Sequence, residues 1–206
     1  MNATDTAATA RALATQTIKT EHQILADVVR VFQHLLKDLV AQHAEPDFQL
    51  LSLTLYYIDD FACRCHHPKE DQYLFAAVRR HAPEAGTTLT GLHSEHQRDD
   101  VFVRDLHRLL VLYQAGAHDA LRRLSACLDI YAAMLFAHMR KEEALLEAFA
   151  DAIPDGEWQA IAEGFGREDE PMFGPAPQKE FAKLRERITS MLPSKMRTHP
   201  AAGHPD

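Results

Sequence analysis

The chain has 206 residues, 46 % of them hydrophobic and 25 % charged, which suits one domain with a real core. Its net charge of −8 argues against a nucleic-acid or anionic-membrane surface, and no apolar run approaches the length that spans a bilayer. Met1 to Thr6 lack the basic and apolar regions of a secretory signal, and the cysteines (Cys63, Cys65 and Cys127) form no disulfide framework. A reduced, cytoplasmic protein is therefore expected.

Residues 1–14 are rich in Ala and Thr, carry no strong stripe, and read as a flexible N-terminal tail. A first helix is expected from Thr17 to Gln42, with Ile18, His22, Leu25, Val29, Phe32, Leu36 and Leu39 at alternating steps of three and four. Ala44 to Asp47 is a turn in which Pro46 suits a first helical position. A second helix follows, from Asp47 to Arg80. Its stripe runs Leu51, Leu55, Ile58, Ala62, His66, Glu70, Tyr73 and Ala77. Pro68 removes a backbone hydrogen bond and predicts a kink beside His66 and Glu70, while the unbroken phase of the stripe predicts continuity across it. The third helix, Thr87 to Gln114, places Leu89, Leu92, His96, Asp99, Val103, Leu106, Leu110 and Tyr113 on one face. The fourth, Asp119 to Ala152, does the same with Leu121, Leu124, Leu128, Tyr131, Leu135, His138, Glu142, Leu145 and Phe149.

Short links between long helices predict antiparallel neighbours, so the fold class is all-α: an antiparallel up-down four-helix bundle over residues 15–152. Short additional C-terminal helices over 153–192 pack on it. One presents Trp158, Ile161 and Phe165. A last one, Gln178 to Met191, presents Phe181, Leu184 and Ile188. A disordered tail over 193–206 completes the domain plan.

Two stripes are interrupted by the same device. His66 and Glu70, and again His138 and Glu142, are four apart, one turn above each other, with Cβ atoms about 6 Å apart. An imidazole and a carboxylate so placed can reach a common metal ion. An ionised carboxylate in a core is costly unless paired or metal-bound. Only one of the pairs His66/Glu70 and His67/Asp71 can face the bundle centre, and the stripe selects the first. His22 and His96 occupy core slots on the other two helices. In an antiparallel bundle all four stations fall at one level, towards one end. Two carboxylates and four imidazoles exceed what one tetrahedral zinc takes. They suit two ions about 3.5–4 Å apart with Glu70 and Glu142 bridging. Imidazole with carboxylate suits iron, manganese or zinc. A cysteine site at Cys63 and Cys65 is disfavoured, because residues two apart on a helix diverge. They read instead as small residues at the core edge.

The motifs Glu21-His22, His66-His67-Pro68-Lys69-Glu70, Glu95-His96 and His138-x-x-x-Glu142 resemble those of the hemerythrin-like family of HHE cation-binding domains, over roughly Ile18 to Ala150. The resemblance implies a non-haem centre of two iron ions. Its ligands would be His22, His66, Glu70, His96, His138 and Glu142, and it would leave an open position for O2, NO or peroxide. Oxygen carriers of the family place two histidines four apart on the third helix and an aspartate late on the fourth. Here His93 and His96 are three apart and Glu142 takes the last place, which brings the chain closer to the bacterial HHE and iron–sulfur-repair branch. The implied activity is binding of, or reaction with, a diatomic gas or peroxide. The alternatives are iron storage, iron donation for iron–sulfur repair, or gas and redox sensing without turnover. His67 and His93 are further candidate ligands, with hydrogen bonding or an exposed surface as their ordinary roles. Glu21 and Glu95 are expected to be solvated. No nucleic acid or membrane partner is expected, and a homodimer is one assembly such a bundle can form.

Overall fold

A computed structural model describes residues 3–166 and, beyond them, 183–184, 186–188 and 190, with side chains from residue 9 onward. Four long rods carry the architecture. They are α1 (Ala3–Val40), α2 (residues 48–81), α3 (Gly86–Gln114) and α4 (Ala120–Phe149). A shorter α5 (Asp155–Gly166) follows. Cross-links fix the antiparallel order. Arg11 at the start of α1 pairs with Asp151 beyond the end of α4, whereas Gln33 bonds Asp129 in its first half. His107 meets Asp59, and His93 meets Asp71, along α2 and α3.

The connections follow local chemistry. The Asp47 side chain caps α2 by accepting from the Leu50 N–H at 2.9 Å, so the helix starts at Phe48 and Pro46 lies ahead of the cap. Gly116 takes φ +74° in the link between α3 and α4, a conformation open to glycine without steric cost. The expected N-terminal tail over 1–14 gives way to helix from Ala3, and Ala10 and Ala14 are buried. Small residues there admit α5, whose Trp158, Ile161 and Phe165 pack into the same cluster.

The α2 rod is continuous but not uniform. Two π-helical stretches, Asp59–His66 and Glu70–Phe75, flank the short α-helical piece His67–Lys69 that contains Pro68. The expected continuity is what the backbone adopts, and the Pro68 region is accommodated by widened turns. Such π segments are frequent at functional sites.

The core is split in two. One cluster gathers Leu25 to Leu39 of α1 with Leu50 to Ala62, Val103 to Leu110 and Leu124 to Met139. The other gathers Ala10, Ala14 and Ile18 with Leu74 to Ala85, Leu89, Leu92, Leu145 to Ile153 and α5. A layer of histidines and acids lies between them. The polar stations therefore share one level, as expected, but the long start of α1 and the added α5 place that level between two cores. Of the last expected helix, the described residues 183–184, 186–188 and 190 are helical; Ile188 is wholly buried against the first cluster and Leu184 packs on it. The rest of that helix, including Phe181, and the expected tail over 193–206 lie outside the described residues.

Candidate metal centre

Each rod delivers its polar station from a mainly apolar stripe, which on α3 also carries the buried Asp99. His22, His66, Glu70, His96, His138 and Glu142 are all buried, with both glutamates at 0 % exposure. The six expected residues converge. Glu70 Oε1 lies 3.4 Å from His22 Nε2 and 3.3 Å from His66 Nε2, and its Oε2 lies 3.5 Å from His96 Nε2. Glu142 Oε2 lies 3.4 Å from His22 Nε2, and its Oε1 lies 3.3 Å from His96 Nε2 and 2.9 Å from His138 Nε2. Two carboxylates thus stand at the centre, and four imidazoles aim Nε2 at them.

The other imidazole nitrogen is held from outside. His66 Nδ1 donates to Glu21 at 2.7 Å, His138 Nδ1 to Glu95 at 2.9 Å, His22 Nδ1 to Glu143 at 3.2 Å and His96 Nδ1 to Asp71 at 3.3 Å. Each acid sits next in sequence to a polar core residue of its own helix and serves the histidine of the following helix. Glu21 of α1 serves α2, Asp71 of α2 serves α3, Glu95 of α3 serves α4, and Glu143 of α4 serves α1. The ring closes. Glu21 and Glu95, expected to be solvated, are hydrogen-bond partners instead. Asp71 and Glu143 were not anticipated in this role; the sequence signal was an acid beside the polar core residue on every helix.

His67 is also buried, against the expectation that the stripe admits only one of the two adjacent histidines. A π turn spreads more residues over each turn, so successive side chains diverge by less than the roughly 100° of an α-helix. His93 stands at the surface and bonds Asp71 at 3.0 Å, behind His96. Phe61 stacks on His66 and Phe75 on His96, and Phe165 of α5 meets His66 edge-on at 6.4 Å. These rings pack directly against the layer.

Charge is strongly redistributed. Burial opposes protonation of His22, but hydrogen bonds to Glu142 and Glu70 prevail and lift its pKa to about 10. Burial likewise opposes His66, and the charge of Glu70 with the Glu21 bond carries it to about 9. His96 reaches about 11, as bonds to Asp71, Glu142 and Glu70 outweigh its burial. Burial would raise Glu70, yet the His66 charge and the nearby imidazoles of His22, His66 and His96 hold it well below the usual carboxylate range. Glu142, raised by burial and by Glu70, falls to about 2 through the nearby imidazoles of His138, His22 and His96. Protons here stand where cations would.

The donor set fits a metal by a further observation. His66 Nε2, His138 Nε2, Glu70 Oε2 and Glu142 Oε2 are fully buried yet make no hydrogen bond of acceptable geometry. Buried polar atoms are normally satisfied, and these four point into one layer. Donor atoms of His22, His66, Glu70 and Glu142 lie within 4.8 Å of one another, as do those of His67, Glu70, His96 and His138. Burial and then the charge of Asp99 push the Cys63 thiol far up.

Fold and site together define a metal-binding helical bundle of the histidine–carboxylate type. The chain matches the hemerythrin HHE cation-binding domain over residues 13–150, and it belongs to that family. No curated protein and no solved structure matches it. Among the described residues no helix is long and apolar enough to cross a membrane.

Proposed function

We propose that this protein holds two iron ions in the buried layer and there binds or reacts with O2, NO or a peroxide. His22 and His66 would hold one ion, His96 and His138 the other, and Glu70 and Glu142 would be shared. Iron bound here supplies the redox chemistry. The chain supplies orientation: the outer carboxylates fix each ring so that Nε2 faces inward, a device that also raises ligand basicity. The flanking phenylalanines keep the layer dry, which favours binding of a small apolar gas. The observation that carries this reading is the placement of all four imidazoles, Nε2 turned towards a central glutamate and Nδ1 bonded to an outer acid.

The test is metal analysis of purified protein. About two irons per chain are expected, and Glu70→Ala and His138→Ala should each lose most of that content. Full retention in both variants would remove the site. Oxygen evolution from hydrogen peroxide by the iron-loaded protein would assign turnover. Its absence, with iron that passes readily to an acceptor, would assign storage or donation.

A further inference from the structure

His67 lies outside every apolar stripe, yet it is 4 % exposed. Its ring stacks on His96 with centroids 4.1 Å apart and meets His138 edge-on at 5.6 Å. One of its nitrogens belongs to the same cluster of donor atoms as Glu70, His96 and His138. Its Nδ1 is 3.9 Å from Asp99 Oδ2, and Asp99 is itself buried. The same Asp99 oxygen accepts from the Tyr131 hydroxyl at 3.3 Å and from the Cys63 thiol at 3.7 Å. A buried phenol and a thiol are thus both engaged in holding one carboxylate behind one imidazole. Asp99 thus stands beside this fifth ring as an outer acid, at 3.9 Å rather than in the hydrogen-bond contact that the other four rings make.

Core packing does not account for it. A phenylalanine would fill the space beside His96 and His138 without burying two polar nitrogens or a carboxylate. A separate ion at Cys63, His67 and Asp99 is not favoured either, because Asp99 Oδ2 already accepts from two donors, one of them the Cys63 thiol itself. We propose that His67 is a fifth imidazole ligand, joining the ion assigned to His96 and His138, with Asp99, Tyr131 and Cys63 as its positioning residues. The proposal rests on the metal reading given above. It makes the two sites unequal, with two imidazoles for one ion and three for the other.

The experiment is anaerobic titration of the full-length, metal-free protein with iron(II) and, separately, with cobalt(II), whose visible spectrum reports ligand number and type. His67→Phe keeps the ring volume, and circular dichroism establishes that it folds. Expected is tight binding of one ion, at least tenfold weaker binding of the other, and an altered spectrum for that one cobalt alone. Asp99→Asn should weaken the same ion by roughly tenfold, in keeping with the effect of losing an outer carboxylate, and it decides the matter if the Phe variant does not fold. Two ions bound as in wild type, with an unchanged cobalt spectrum, would overturn the role of His67 while leaving the six-residue centre standing. A wild-type protein that binds no ion would overturn both.

Discussion

The two apolar clusters on either side of the His/Glu layer are built differently. The one beyond Leu25 is lined from all four rods by long side chains, among them Phe32, Leu36, Leu55, Leu124, Leu128 and Tyr131. The one before Ile18 uses alanines on α1 and takes much of its bulk from α5, through Trp158, Ile161 and Phe165. The first is the bundle's own core. The second depends on a helix added after the bundle closes. Holding the fold and covering the metal layer are thereby assigned to different halves of the molecule, and they can be perturbed separately.

The largest effect is expected from the layer between them. In metal-free protein, His22, His66 and His96 have pKa values raised above their ordinary 6.5. Their contribution to stability is complete below about pH 6.5 and is lost as pH rises through about 9 to 11. Glu142 is depressed from 4.5 to about 2, so its contribution is present above pH 4.5 and is lost as pH falls towards 2. Urea midpoints of the metal-free protein should therefore be highest between about pH 4.5 and 6.5 and fall on both sides. Metal replaces the inner protons, so loading should release protons into weak buffer near pH 7 and lift the alkaline limb. A flat alkaline limb in the metal-free protein would contradict the charge pattern.

Next come the two cores. Trp158→Ala should cost about 3–5 kcal/mol and Leu128→Ala about 2–5 kcal/mol in denaturant unfolding. Only the first should speed iron loss to a chelator under native conditions. Equal chelation rates in the two variants would show that α5 is not the cover.

The smallest effect sharpens the contact between α5 and α2. A Cβ on Gly164 would come within 2.5 Å of the Tyr73 ring. Gly164→Ala should cost about 1–3 kcal/mol, and adding Tyr73→Ala should return part of it. An undiminished cost in the double variant would place the strain elsewhere.

The four rods and the six converging residues were legible because apolar periodicity and its polar interruptions are both local signals. His67 was read as a further candidate ligand, but its burial ran against the stripe, which assumed ideal α-helical phase where the backbone around Pro68 is π-helical. The outer acids were hidden for another reason. Glu21 and Glu95 look like surface residues on their own helices, and only the neighbouring helix shows what they hold. The start of α1 was read as a tail because Ala10 and Ala14 form no recognisable stripe alone; their partner, α5, lies far along the chain.

The closed ring of outer acids has a consequence for how the centre fills. Every Nδ1–H bond in it survives when an inner proton leaves and a cation arrives, so the rings are already aimed before loading. Uptake then requires little reordering of the protein. Filling should therefore proceed without a large change in the helical signal.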